Sequence, residues 1–246
     1  MSRRSGPPTV SIVIPAFNEA ARIGESLRKI DDFVRQSPLL FEVIVVDDGC
    51  TDETVEVVSK SGTPRVRLIH NNGNRGKGYS IRQGVLAASG VYVLFADADS
   101  SAPIEEVTKL LDIAMNEGAE VVIGSRNVDR RSIEKHQPLF REFGGVVFNL
   151  AVRALLGLNL RDTQCGFKLF HRQKTHRAFE RLTTFGFGFD PELLFLAKRA
   201  GLRIREVSVR WSHHSEGSRF NPIRHGSRMF ADLVRIRWLA FTGRYS

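Results

Sequence analysis

The chain is poor in cysteine, with Cys50 and Cys165 the only two among 246 residues. That excludes a disulfide framework, and with no apolar signal-peptide core at the start of the chain it predicts free thiols in a reducing compartment. Long apolar runs are absent too. No stretch without Asp, Glu, Lys or Arg is longer than that from Gln83 to Ala96, which is interrupted by glycine and falls short of the ~20 apolar residues that a spanning helix needs. Internal repeats and low-complexity segments are missing. So are two familiar phosphate-binding fingerprints, because Asn72-Gly73-Asn74-Arg75-Gly76-Lys77-Gly78 has neither the glycine gap and following hydroxyl of a P-loop nor the glycine spacing of a dinucleotide site.

What is present is an ordinary globular composition, 42% hydrophobic and 26% charged. A chain of this length buries about 70% of its unfolded surface and needs no staple or metal to fold. The formal charge of +9 is unevenly spread. Residues 1–125 hold 13 Lys and Arg against 17 Asp and Glu, a net of −4, whereas residues 126–246 hold 23 against 10, a net of +13. A basic half raises the local concentration of a polyanion, whether nucleic acid, anionic lipid or a phosphorylated substrate; a merely solubilising surface would look the same.

Short β-branched runs alternate with amphipathic segments through the first half. Val10–Ile14, Phe41–Val46, Val66–Ile69, Val91–Phe95 and Val121–Ile123 read as buried strands; Ala20–Arg35, Asp52–Lys60, Lys77–Ala88 and Ile104–Glu117 read as the helices between them. The alternation predicts an α/β fold, a mostly parallel sheet flanked by helices, with ligands beyond the carboxyl ends of the strands. After Arg126 the pattern changes to a long apolar helix over Leu139–Leu158, a Gly- and Cys-containing turn, helices near Gln173–Leu182 and Pro191–Ala200, and a strand over Ile204–Trp211. A basic amphipathic helix over Ile223–Phe241 follows, with Met229, Phe230, Leu233, Val234, Trp238 and Phe241 on one face.

Four motifs fall at strand ends. Pro15-Ala16-Phe17-Asn18-Glu19 follows the first strand, where proline stops the ladder and Asn and Glu turn polar groups toward the cleft or cap a helix. Asp47 and Asp48 follow the second, one free to face a ligand base or ribose while the other organises the turn; Thr51 and Asp52 read as caps. Lys77 and the backbone around Gly78 open a helix and suit a phosphate, although a plain turn explains them nearly as well. In Phe95-Ala96-Asp97-Ala98-Asp99, carboxylates two apart on a strand share a face and converge on a hard cation, Mg²⁺ or Mn²⁺, whose natural companion is a nucleotide diphosphate.

Taken in order, these motifs resemble those of family 2 inverting glycosyltransferases with the GT-A fold. Gly124-Ser125-Arg126, Phe140-Arg141 through Gly145 and Arg161-Asp162-Thr163-Gln164-Cys165-Gly166-Phe167-Lys168 resemble the branch that makes dolichyl- or polyprenyl-phosphate sugars, nearest its glucose-transferring members; the likeness covers about residues 9–243. It implies a hexose, glucose from UDP-glucose ahead of mannose from GDP-mannose, moved with inversion onto a lipid phosphate at the cytoplasmic face of a membrane. Pro15 to Glu19, Asp47, Asp48, Lys77, Gly78, Asp97 and Ala98 would hold the nucleotide, with Asp47 on the base and Glu19 on the ribose. Asp97 and Asp99 would hold the cation, and Arg126, Arg141 and Arg219 would clamp the acceptor phosphate. The reacting centre would be Asp97, Asp99, Arg126 and Asp162, the last orienting an arginine or a sugar hydroxyl. Because a lipid monophosphate is largely dianionic at neutral pH, it needs positioning more than a strong base.

Cys50 stands where the resembled pattern most often has Ser, and Ser101 where some members supply a further metal-side ligand. Cys165 reads as a packing residue, not a nucleophile. The expected organisation is a mobile tail at 1–8, a transferase domain at 9–212, a mobile acceptor-side loop at 213–222 and an amphipathic helix at 223–246. With no anchor helix in these residues, membrane attachment is expected to be peripheral, through the surfaces of the two amphipathic helices or an integral-membrane partner. A nucleic-acid-binding protein would also explain the basic half, but gives no reason for the paired aspartates.

Overall fold

The computed structural model describes residues 6–63, 65–135, 139–213 and 222–245, and at 130, 134, 139–141 and 222–225 the backbone alone. The Val- and Ile-rich runs form β1 (Val10–Ala16), β2 (Phe41–Asp47), β3 (Val66–His70), β4 (Tyr92–Ala96) and β5 (Val121–Ser125). Between them lie α1 (Ala20–Gln36), α2 (Thr54–Lys60), α3 (Lys77–Ala87) and α4 (Glu106–Asn116), all within two residues of their expected ends. There follow β6 (Ile133–Lys135), α5 (Leu139–Leu156), β7 (Phe167–His171), α6 (Arg172–Glu180), α7 (Phe189–Arg199), β8 (Ile204–Ser208), β9 (Trp211–Ser212) and α8 (Pro222–Phe241).

The seven-stranded sheet has the order β3-β2-β1-β4-β7-β5-β8. Its pairs are parallel except those of β7, which runs antiparallel to both β4 and β5. Alternate residues face opposite sides: Val13 belongs to the core cluster that includes residues of α3, α5, α6, α7 and α8, while Ile12 and Ile14 belong to the one that includes residues of α1, α2 and α4. Strands covered on both faces read as continuous apolar runs, which is why β1, β2, β4 and β5 were legible.

Five expectations change. β7 lies where a turn was expected. The strand expected over Ile204–Trp211 is two strands, because the chain leaves β5 after Ser208 and β9 pairs with β6. Pro15 does not stop the ladder: it stays in register with Val46, and its missing N–H falls beyond Val13, the last β1 residue paired with β4. The long helix ends at Leu156, where Gly157 (φ 64°) takes the left-handed turn. The apolar face expected on α8 is split, with Met229, Leu233, Ile236 and Leu239 in the core and Phe230, Val234, Trp238 and Phe241 exposed.

Candidate active site

The loops after β1, β2, β4 and β5 meet at one edge of the sheet. Because β7 is antiparallel, its beginning lies at that same edge: Ala96 pairs with Phe167, and Asp97 N–H donates to Gly166 O at 3.1 Å. The segment from Asp162 to Gly166 is thereby brought beside the aspartates of the β4 loop. Glycine at 166 leaves room for the Asp97 carboxylate, which a side chain there would displace, since a Cβ would stand 1.9 Å from Asp97 Oδ2. A small cleft beside Asp97 is lined by Ser101, Cys165, Gly166 and Trp211.

The first two loops are tied together. Asn18 takes the left-handed backbone (φ 55°), and its Oδ1 accepts N–H bonds from Thr51 at 2.7 Å and Asp52 at 3.3 Å. Asp52 receives the N–H of Thr54 at 3.0 Å and of Ala20 at 3.2 Å, so one carboxylate serves the starts of α1 and α2, the capping role expected of it. Cys50 fills the place of a hydroxyl, donating to Ala16 O at 3.4 Å and receiving Asn18 N–H at 3.2 Å. Glu19 is paired with Arg22, and burial raises its carboxyl above the usual range against the pull of that guanidinium.

Asp47 and Asp48 are both buried. Asp47 accepts Cys50 N–H at 2.7 Å and faces His70 Nδ1 at 2.9 Å; burial works against the charge, but these partners hold the carboxyl below its ordinary value. Asp48 organises the next loop, accepting the N–H of Arg75 and of Gly76, each at 2.9 Å, and Asn71 Nδ2–H at 2.9 Å. Gly76 (φ 97°) and Gly78 are wedged beneath the segment before α7: added Cβ atoms would stand 2.5 Å from Phe185 O and 2.6 Å from Phe189 Cβ. Lys77, between them, reaches Asp97 Oδ1 at 2.6 Å.

Asp97 and Asp99 lie just past β4, in a turn, so strand alternation does not align them. The turn is stitched to α1 instead, with Ser26 Oγ donating to Ala98 O at 2.7 Å and Ser100 (φ 52°) donating to Ser26 Oγ at 2.8 Å. Asp99 Oδ1 accepts Ser101 N–H at 3.0 Å, and its Oδ2 stands 3.9 Å from Arg22 Nη1. Among the described residues no group of three or more His, Cys, Asp or Glu gathers as a metal cage. The donor set does fit a hard cation that completes its shell from a diphosphate and water, since both residues offer carboxylate oxygens.

After β5, Arg126 forms a bidentate pair with Asp162, Nε to Oδ2 at 2.7 Å and Nη2 to Oδ1 at 2.9 Å, with the Arg126 guanidinium 5.3 Å from the Trp211 ring centre. Burial alone would raise the Asp162 carboxyl; the Arg126 charge and hydrogen bonds instead bring it down to about 2. Cys165 is buried, and burial together with the Asp162 charge raises its thiol to about 12, which suits packing and not nucleophilic attack. The Arg141 backbone lies in α5 but its side chain is outside the described residues, as is the whole of Arg219.

The sequence reading passed over one buried feature. Lys168 is wholly buried, donating to Asp190 Oδ1 and to Cys165 O, each at 2.5 Å, and its Nζ lies 5.5 Å from the Phe95 ring centre. Asp190 reads locally as an acidic residue in the first turn of a helix, a place that needs no further explanation. A lysine set between Phe167 and Leu169, second in a five-residue strand, was the available signal, because such a lysine demands a partner.

Comparison with known proteins places these loops in a family. The family model described as glycosyl transferase family 2 matches residues 11–179. Dolichyl-phosphate beta-glucosyltransferases from Homo sapiens and Dictyostelium discoideum are 36% and 32% identical to it, over 96% and 95% of this chain and 77% and 75% of theirs. Crystal structures of glucosyl-3-phosphoglycerate synthase from Mycobacterium tuberculosis share the fold. The complex with UDP has a TM-score of 0.67 at 23% identity, covering 94% of this chain and 80% of that one. The complex with Mn²⁺ and UDP-glucose has a TM-score of 0.66 at 24%, covering 95% and 78%. With a GT-A-like sheet, its loops gathered at one edge and relatives matching along nearly its whole length, this chain belongs to glycosyltransferase family 2.

Proposed function

We propose that the protein transfers glucose from UDP-glucose to a dolichyl or polyprenyl phosphate, inverting the anomeric centre to give a β-linked product. The names of its relatives support the glucosyl group and the dolichyl-phosphate acceptor. The observation that carries it is the antiparallel β7, which sets the Arg126–Asp162 pair and Gly166 at the same edge as the Asp97 turn, so that a fixed guanidinium lies within electrostatic reach of the Asp97 carboxylate.

In this reading Asp47 accepts N3–H of uracil, Glu19 meets the ribose hydroxyls, and the turn from Pro15 to Asn18 borders the nucleotide. Asp97 and Asp99 hold a Mg²⁺ or Mn²⁺ ion, which when bound offsets the charge of the departing diphosphate. Lys77 at the start of α3 adds a cation toward the phosphates. Arg126, held flat by Asp162, presents its guanidinium to the acceptor phosphate, with Arg141 and Arg219 as further clamp residues. Asp162 is then a positioning residue: a carboxylate that keeps its charge down to about pH 2 and is filled by four donor contacts is a poor proton acceptor. The acceptor dianion supplies the nucleophile itself.

No helix among the described residues is long and apolar enough to cross a membrane. We infer peripheral attachment at the cytoplasmic face through α5 and α8, which pack together. Phe143, Val146 and Leu150 of the first and Val234, Trp238 and Phe241 of the second are exposed, beside the exposed arginines Arg228, Arg235 and Arg237, a combination suited to an anionic headgroup boundary. The Asp97→Ala variant tests the assignment. Transfer of radiolabelled glucose to short dolichyl phosphate should fall by at least ~10³-fold, the scale of losing a main electrostatic contributor; retained transfer would remove Asp97 from the reaction.

A further inference from the structure

The two carboxylates read here as cation ligands already face cations of this chain. Lys77 Nζ is 2.6 Å from Asp97 Oδ1, and Arg22 Nη1 is 3.9 Å from Asp99 Oδ2. The Lys77 backbone is held on both sides, by Gly76 N–H on Asp48 Oδ2 and by Gly78 N–H on Phe185 O, each at 2.9 Å, and neither glycine site has room for a Cβ. What can move is the side chain, a flexible four-carbon stem. Its Nζ lies 5.1 Å from the Phe95 ring centre, and the Nζ of Lys168 lies 5.5 Å from the same centre. The two ammonium groups differ in freedom. Lys168 is sealed in the core on Asp190, whereas the Lys77 side chain is 27% exposed and points at the cleft.

A divalent cation approaching Asp97 therefore meets an ammonium on the oxygen it would take, and like charges at a few ångströms repel strongly where water is scarce. A diphosphate arriving with the cation offers that ammonium another anion. We propose that Lys77 is an internal stand-in for the divalent cation: it holds Asp97 while the site is empty and passes to the donor diphosphate as the cation binds. Cation and nucleotide then bind as a coupled pair, each raising the affinity for the other by the same factor. The Asp190 carboxylate, paired with Lys168 at 2.5 Å, lies within electrostatic reach of Lys77 as well.

The proposal rests on Asp97 being a cation ligand, and its test separates the two claims. Mn²⁺ binding is read from the spectrum of the free ion by electron paramagnetic resonance, with and without UDP, in the absence of sugar and acceptor. Wild type should bind Mn²⁺ weakly alone and about tenfold or more tightly with UDP. Lys77→Met should bind Mn²⁺ alone about tenfold more tightly than wild type and gain less from UDP, with Lys77→Gln as a second neutral variant of polar character. Lys77→Arg, which keeps the charge, should behave as wild type. Urea unfolding shows which variants are folded. Neutral variants that bind Mn²⁺ alone no better than wild type, with UDP-dependent binding intact, overturn the stand-in and leave the cation reading standing. Absence of Mn²⁺ binding by wild type even with UDP overturns both.

Discussion

Buried at 3% exposure, the Asp162 carboxylate would ordinarily cling to its proton, yet Arg126 and the Gln164 N–H hold it ionised to about pH 2. The sign of the linkage follows. Its pKa is lowered on folding from 3.8 to about 2, so the stability it contributes is complete above about pH 5 and is lost as pH falls through 3.8 toward 2. Asp162→Asn should cost about 3 kcal/mol at pH 7, because it leaves a largely desolvated guanidinium unpaired. The gap between wild type and variant in urea unfolding should stay constant from pH 7 to pH 5 and narrow below pH 4. The motif from Arg161 to Lys168 was visible in the chain as a run of residues, and the orienting role of Asp162 was within reach of chemical reasoning. The close approach of Gly166 to Asp97 was not, since it depends on two segments about 70 residues apart in the chain meeting backbone to side chain.

At the level of elements, what was legible and what was not divides along local pattern. β1, β2, β4 and β5 are covered on both faces and announce themselves as β-branched runs; β7 has Lys168 and His171 in five residues, and only the long-range partner Asp190 makes that lysine compatible with a buried strand. The face of α8 was misjudged for a related reason. Periodicity identifies an apolar arc, but which part of it meets α5 and α7 and which meets solvent is a tertiary fact. Tyr245 is fastened to the start of α3 through a chain of hydrogen bonds: it donates to Glu192 Oε1 at 2.6 Å, Glu192 receives the N–H of Thr183 at 3.0 Å and of Thr184 at 2.6 Å, and Phe185 O receives Gly78 N–H at 2.9 Å. Tyr245→Phe removes a hydrogen bond to a buried carboxylate while keeping the ring against Phe195. A loss of about 2 kcal/mol in urea unfolding is expected, and a loss below ~0.5 kcal/mol would unfasten this tie from the account.

For the whole molecule, the division of charge, −4 against +13, follows the division of labour proposed here. The first half carries the carboxylates assigned to cation and nucleotide, and the second carries the arginines assigned to a lipid phosphate and an anionic surface. The protein should sediment with anionic liposomes at low salt and release as salt rises. Trp238→Ser with Phe241→Ser, both on the exposed side of α8, should weaken that binding at least tenfold without lowering stability; a protein that stays in the supernatant at every lipid composition would contradict the surface assigned to α5 and α8. The central claim is the transfer itself, and a donor screen measures it directly. Purified protein is given radiolabelled UDP-glucose or GDP-mannose, short dolichyl phosphate, and Mn²⁺ or chelator, and label is counted in the lipid phase. Label entering lipid from UDP-glucose, and only with the cation, is the predicted result; label from GDP-mannose but not from UDP-glucose would contradict it.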